Sequence, residues 1–345
     1  MKDFFLSDCA KFENQTFDTH FVVANKQIKN KKDGSPYLAL TLADKDGQIE
    51  AKMWDNVGDA LTTVEQDDYV KVRGLLNKYN GRFQFTIHKI RRCPDQEVEP
   101  GDFLPKTKKD IDQLWMTLLG FVQSIENDHL RNLIFSFVED EEIARAYRLA
   151  PAAKTLHHAF IGGLLEHVIS LMTLCDLTMR NYAIVNRDLV IAGAFLHDIG
   201  KIYELGFARS FSYTTRGQLL GHIIIELEML HAKLAAFPDF PEELKTLLEH
   251  LIISHHGQLD FGSPKVPMCA EALLLHYCDD LDSKMEALRA QFERDALSDS
   301  PWSSYNHSLG RMLLNTERFL ATSKPVEANS EPEIAVAAVA AATED

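Results

Sequence analysis

The stretch Ala192-Gly-Ala-Phe-Leu-His-Asp-Ile-Gly-Lys201 decides how this chain reads. Residues 189 to 196 are apolar on every side, the mark of a helix buried all round, and that helix runs straight into an imidazole, a carboxylate and an ammonium. A buried charge must be paired or bound to metal. These ten residues alone leave two readings open: Asp198 paired with Lys201 one turn later beside a core histidine, or a metal site.

The histidines separate the two. Ten of the fourteen lie between residues 157 and 276, on separate expected helices. On Ile161-Gly-Gly-Leu-Leu-Glu-His-Val-Ile-Ser-Leu171, His167 shares a helical face with Leu164 and Leu171 and points inward. His222 opens the expected helix from Gly221 to Leu230. His255-His256 close a helix spanning Glu242 to Ser254, with Gly257 as its stop signal. Asp279 follows Leu275 by one turn, again inward. One inward histidine is ordinarily a core residue; five helices each aiming His or Asp at the interior are not explained that way.

Imidazoles with carboxylates suit first-row ions, whereas a thiolate site would need cysteines at motif spacing. Seven candidate ligands (His167, His197, Asp198, His222, His255, His256 and Asp279) exceed one tetrahedral zinc, so two divalent ions are expected. Manganese is favoured, with iron, cobalt, nickel or zinc as the other candidates. Asp198, with two oxygens and a neighbouring ligand, is the natural bridge. Two such ions can clamp an in-line displacement at phosphorus without a Ser or Cys nucleophile. Lys201 either neutralises phosphate charge or orients Asp198. Ser263 and Lys265, on the Gly/Pro loop after the double histidine, are candidates for holding a phosphate or the terminal sugar.

In order, Glu166-His167, His197-Asp198-Ile-Gly-Lys201, Gly221-His222, Ser254-His255-His256-Gly257 and Asp279 resemble the HD-domain metal-dependent phosphohydrolase superfamily. Gly162-Gly-Leu-Leu-Glu-His167, the run from Ser254 to Lys265 and Leu281-Asp282 are similar to one branch of it, the YhaM-type 3'-to-5' exoribonucleases. That resemblance implies an OB-fold ahead of an all-α HD bundle, Asp279 as the final metal ligand with Asp282 supporting it, and exonucleolytic polarity. His231 and His250 fall outside the pattern and read as surface or packing residues. His157, His158 and Asp280 are left open, and Glu226 is a candidate for a supporting position.

The first third reads differently. Strands are expected at residues 17–29, 37–42, 49–54, 69–78 and 82–90, with a helix at 56–64 and an Asn80-Gly81 corner of the type favoured in hairpins. Three strands, a helix and two strands fit a five-stranded OB barrel, a common reader of single strands. From Tyr69 to Arg92 the chain carries Lys71, Arg73, Lys78, Arg82, Lys89, Arg91 and Arg92 with no Asp or Glu, interleaved with Tyr79, Phe83 and Phe85. Cations for phosphates and rings for bases make Lys71, Arg73, Tyr79, Arg82, Phe83, Phe85 and Lys89 the candidate nucleic-acid contacts. A solvated charged face around core phenylalanines is the plain alternative.

The formal net charge of −15 at first argues against a polyanionic substrate. It is unevenly spread: residues 1–100 hold 15 Lys/Arg against 16 Asp/Glu, and residues 101–345 hold 21 against 35. With 345 residues, 46% of them hydrophobic, two domains and a large core are available. Five scattered cysteines without a C-x-x-C motif indicate a reducing compartment, and no membrane span or leader is visible, so a cytoplasmic protein is expected. Residues 93–106, with three prolines, read as a linker, and Thr107-Lys-Lys-Asp110 as a capping-box start to a helical region running to about Phe319. The expected layout is an OB-fold at 1–92, a linker at 93–106, an HD domain at 107–322 and a low-complexity, disordered tail at 323–345. The leading function is a metal-dependent 3'-to-5' exonuclease of single-stranded RNA, with single-stranded DNA as a further substrate; a homo-oligomer is compatible with it, a membrane partner is not. The alternatives are a phosphohydrolase of small nucleotides with a regulatory OB domain, and a non-catalytic single-strand binder.

Overall fold

The computed structural model describes residues 2–322 apart from 80, 155–157, 208, 296–299 and 307. Asn80 of the expected hairpin corner, His157 and the tail at 323–345 therefore lie outside the described residues.

Strands β1 (Gln15–Asn30), β2 (Pro36–Asp44), β3 (Gly47–Met53), β4 (Tyr69–Tyr79) and β5 (Arg82–Arg92) form a closed barrel in the order β1-β2-β3-β5-β4. Helix α1 (Gly58–Thr63) lies between β3 and β4. Alternation along the strands sends Phe21, Val23, Leu40, Val72, Leu76 and Phe85 into the barrel, and the β3–β5 pairing that closes it is parallel. This is the OB-fold expected from the order of strands.

The outward positions matter as well. Val22, Ala43, Tyr69 and Cys93 form a second apolar cluster with Phe103, against which Val98 packs. The Tyr69 and Phe103 rings lie 4.7 Å apart. The proline-rich stretch after β5 is thus laid along the outer wall of the barrel, because the outward residues there are apolar and need cover.

The helices are α2 (Ile111–Gln123), α3 (Asp128–Val138), α4 (Glu141–Leu149), α5 (Gly163–Thr178), α6 (Arg187–Leu196), α7 (Lys201–Glu204), α8 (Thr215–Leu234), α9 (Glu242–Ser254), α10 (Ala270–Arg294) and α11 (Thr316–Thr322). A short hairpin, β6 (Leu205–Gly206) with β7 (Ser212–Tyr213), joins α7 to α8. Residues Leu189 to Leu196 of α6 are all buried. The Tyr147 ring of α4 stacks on Phe195 at 5.3 Å, and its hydroxyl donates to the Phe195 carbonyl. The N-cap of α2 is Asp110, whose carboxylate accepts from the N–H groups of Asp112 and Gln113. Thr107, expected to cap, instead donates to Glu166 of α5.

By compactness the chain divides into Met1–Ala287 and Leu288–Asp345. The second unit departs from the expected helical run: between α10 and α11 there are isolated bridges, Trp302 to Leu314 and Asn306 to Arg311. Pro301 and the Ser-, Asn- and Gly-rich residues after it do not sustain a helix. Among the described residues no helix is long and apolar enough to cross a membrane.

Candidate metal centre

All seven expected ligands converge. His167 sits in mid-α5, His197 and Asp198 immediately follow α6, His255 and His256 follow α9, and Asp279 is on α10. His222 arrives by a device the sequence did not reveal. Helix α8 is broken at Gly221, whose φ of 70° and ψ of 163° suit glycine, so His222 begins its second half.

Two trios result, His167–His197–Asp279 and His222–His255–His256, the donor atoms within each lying within 4.8 Å of one another. Asp198 lies between them. Its Oδ2 is 3.3 Å from His197 Nε2 and 3.6 Å from His167 Nε2, and its Oδ1 is 3.7 Å from His222 Nε2 and 4.0 Å from His255 Nε2. One carboxylate oxygen faces each trio.

The rings are held in a common sense. Nδ1 of His167 meets Asp282 Oδ2 at 2.8 Å, that of His197 the Ala194 carbonyl at 2.9 Å, and that of His222 Glu204 Oε1 at 3.2 Å. His255 Nδ1 meets the Ile252 carbonyl at 2.6 Å and His256 Nδ1 the Phe261 carbonyl at 2.9 Å. An oxygen acceptor at Nδ1 places the proton there and leaves Nε2 with its lone pair, the usual tautomer of a ligating histidine. His222 Nε2, His255 Nε2 and Glu226 Oε2 are buried with no hydrogen-bond partner. Such orphans are rare in finished interiors; a cation among them accounts for all three, so the residues present fit a divalent ion.

The charges around the cluster are strongly perturbed, and in the ion-free protein they hold His167 as the imidazolium, which must lose its Nε2 proton before it can ligate. Burial would raise the Asp198 carboxyl, but Lys201 and the flanking imidazoles hold it well below the usual range. Burial would lower His167, but Asp279 and Asp282 push it up to about 10. Burial pushes His255 well down, and burial together with Asp198 pushes Glu226 well up. The Lys201 ammonium donates to Asp198 Oδ2 at 2.7 Å.

Other candidates separate. Asp282 also accepts from the Ser170 hydroxyl and lies 3.7 Å from His158 Nε2, so both stand behind His167. Asp280 pairs with Lys284 away from the cluster. His231 pairs with Glu249, and His250 Nε2 accepts from the Met268 N–H, so neither joins. Lys265 is exposed on its loop. Ser263 is a correction: it is buried at 3% exposure and its hydroxyl is shared between the Ile253 and Lys265 carbonyls, holding the loop rather than facing a ligand. Glu204 escaped notice in the sequence because it lies 18 residues from His222 with no motif linking them.

On the barrel, Lys71, Arg82 and Lys89 have no carboxylate partner among the described residues, while Arg73 pairs with Asp18 at 3.3 Å. Tyr79 is 62% exposed. Phe85 is a second correction: it is fully buried against Phe17 and Phe21, because its strand position points into the barrel. Phe83 is half-buried against the same core, with the Lys78 ammonium 4.8 Å from its ring centre. The sequence reading missed Tyr37 and Trp54, whose rings stack at 4.5 Å, and Lys52, whose ammonium lies 5.7 Å from Trp54 and 5.8 Å from Tyr79. The alternation Lys52-Met53-Trp54, which puts Lys52 and Trp54 on one face, was the available signal.

Fold and site together define an HD-domain protein with an OB-fold barrel ahead of it, and two families match accordingly: the OB-fold nucleic acid binding domain at residues 22–92 and the HD domain at residues 164–284. The HD domain implies divalent-metal binding, and the OB-fold supports binding of single-stranded nucleic acid. The chain is 36% identical over 278 residues to a Bacillus subtilis (strain 168) protein named 3'-5' exoribonuclease YhaM, covering 80% of this chain and 88% of that one. Proteins of the same name from Oceanobacillus iheyensis and Geobacillus sp. (strain WCH70) are 35% and 36% identical, covering 81% and 80% of this chain and 88% and 85% of theirs. The chain belongs to the YhaM family.

Proposed function

We propose that this chain is a divalent-metal-dependent 3'-to-5' exoribonuclease that hydrolyses single-stranded RNA, with single-stranded DNA as a further substrate. The observation that carries the reading is the set of five histidines whose Nδ1 atoms are tied to oxygen acceptors, four of them with Nε2 within 4.0 Å of Asp198 and the fifth, His256, grouped with His222 and His255. Identity to relatives named 3'-5' exoribonucleases supports the polarity.

In this reading His167, His197 and Asp279 would hold one divalent ion and His222, His255 and His256 a second, with Asp198 available to both and manganese as the favoured metal. Ions bound there would neutralise phosphate charge and activate water as the nucleophile. Asp282 and Glu204 fix the tautomers of His167 and His222. Lys201 offers its ammonium beside Asp198 to the phosphate, and Lys265 reaches the substrate from the loop after α9. Lys71, Arg82 and Lys89 contact phosphates of the strand, and Tyr79 and Trp54 stack on its bases. The working division is an OB domain at 1–92, a connection at 93–106 and an HD domain at 107–322.

The test is digestion of RNA labelled at either end, with single-stranded DNA and mononucleotides alongside, across several divalent ions. The 3' label should leave first as a mononucleotide and the 5' label should run as a shortening ladder. Turnover of mononucleotides with intact RNA would replace this reading with that of a small-nucleotide phosphohydrolase.

A further inference from the structure

We infer that the chain carries a separate, thiolate-containing metal site where the barrel meets the segment that follows it, formed by His20, Cys93 and Glu97 and suited to zinc. Donor atoms of these three residues lie within 4.8 Å of one another. Around a tetrahedral zinc, ligand atoms stand roughly 3.3–3.8 Å apart, from bond lengths of about 2.0–2.3 Å, so a small contraction completes the site.

Three local features bring them together. His20 lies on the outward face of β1 opposite Lys71 of β4, which in turn pairs with Arg91 of β5. Cys93 is the first residue after β5, held by its N–H to the Tyr69 carbonyl at 2.7 Å, and only 3% exposed. The single turn Asp95–Glu97 then folds Glu97 back above Cys93. A cavity of about 410 Å³ lies beside the trio, lined by His20 and Glu97 together with Lys2, Glu99 and Asp102 but not by Cys93, and leaves room for a water on the His20–Glu97 side.

Two sets of interactions oppose an ion: burial and a hydrogen bond to Glu97 favour the neutral Cys93 thiol, and cations crowd His20 and Glu97. Arg91 donates to Glu97 Oε2 at 2.6 Å, and its charge and that of Lys71 lie beside His20. The Arg91–Glu97 pair is half-exposed and so worth little, and Glu97 keeps Oε1. Nitrogen, sulfur and oxygen together make a softer set than the nitrogen and oxygen of the HD site, favouring zinc or cobalt over manganese. With three protein ligands and a water the site is an open one, and its place in the fold assigns it to holding the Asp95–Glu97 turn. It clamps the turn containing Asp95, whose two oxygens accept from Arg209 Nη2 at 2.7 and 2.6 Å. Arg209 lies over the Tyr69 ring, in the loop between β6 and β7 that directly follows Glu204. The clamped turn is therefore one point at which the helical side grips the barrel side; the Ser210 hydroxyl, donating to Asp67, is another.

The experiment is cobalt(II) titration of the metal-free full-length protein, read by the near-ultraviolet thiolate-to-cobalt charge-transfer band, which imidazole and carboxylate ligands do not produce. The band should appear in the wild type and in His167→Ala, and be lost in Cys93→Ser. Because Cys93 is buried and its variant could unfold, Glu97→Gln and His20→Gln serve as partly exposed or exposed substitutions: each should weaken cobalt binding at this band with the fold intact by circular dichroism. Absence of the band at saturation, its survival in Cys93→Ser, its dependence on Cys269 or Cys278 instead, or unchanged affinity in both Glu97→Gln and His20→Gln would overturn the assignment.

Discussion

Glu204 Oε1 accepts twice from one residue, from the backbone N–H of His222 at 3.1 Å and from its Nδ1 at 3.2 Å. A single oxygen thus fixes both where this histidine starts and which way its ring is protonated. Replacing an orienting partner of this kind typically costs 10–100-fold in metal affinity or activity. Glu204→Gln should therefore lose about that much in both, read by metal titration and RNA turnover; equal affinity in wild type and variant would reduce the contact to packing.

Asp198→Asn should abolish hydrolysis and leave single-strand binding close to wild type, since its oxygens face the two histidine trios while the cations proposed to hold the strand, Lys71, Arg82 and Lys89, lie on the barrel. Strand affinity by filter binding and turnover on the same preparation decide it. Parallel loss of both would mean that the helical core had collapsed.

The ion-free protein should have a distinctive pH profile. His167 is raised to about 10 when folded, so its contribution to stability is complete below the ordinary imidazole value of about 6.5 and disappears as pH rises through the folded value. Asp279 and Asp282 are depressed, so their contribution is complete above the ordinary carboxylate range and lost as pH falls below it. Melting temperature without metal should fall steadily from roughly pH 6.5 to 10. Because ligation needs the neutral ring, the stabilisation gained on adding metal should grow over the same interval. A flat melting profile there would contradict the protonated His167.

Gly200 has no room for a side chain. An added Cβ would stand 2.4 Å from the His222 carbonyl oxygen and 2.9 Å from Glu226 Cγ. Gly200→Ala should cost on the order of 1–3 kcal/mol of stability and also displace His222, so melting temperature and metal affinity fall together. Gly120→Ala, in α2 with nothing within 4 Å of the new atom, should be neutral or stabilising and serves as the control.

On the barrel, charge and stacking should come apart. Arg82→Ala and Lys89→Ala should each reduce the log–log salt slope for single-strand binding by up to about 0.7. Tyr79→Ala and Trp54→Ala should instead weaken binding by roughly 1–3 kcal/mol with little change in slope. Salt slopes unchanged in both cation variants would move strand capture off this face.

How much was legible in the sequence depended on whether a residue's neighbours were close along the chain. The apolar run of α6 and the histidines at helix ends announced themselves because burial and helical periodicity are local. The same holds for the succession of three strands, a helix and two strands along the chain, written in its turns and alternation, whereas the parallel closure of β3 on β5 is not local and was not read. Phe85 was misplaced because interleaving with lysine and arginine looks the same whether a ring lines the barrel or faces out; only the register on the closed sheet decides. Ser263 looked available because nothing in the sequence predicts that its hydroxyl is taken by main-chain carbonyls. Tyr37 and Trp54 meet only through β2–β3 pairing, and Glu204 reaches His222 only through the β6–β7 hairpin and the break at Gly221.

The apolar outer wall of the barrel has a consequence for anyone who would recombine these parts. A barrel severed after Arg92 would present Val22 and Tyr69 to water without Phe103 and Val98 to cover them, an invitation to self-association. Transplanting the strand-binding half onto another catalytic partner therefore means carrying its wrapping through residue 104, with Asp95 arriving as an acidic handle that the new partner must either grasp with a cation or leave solvated.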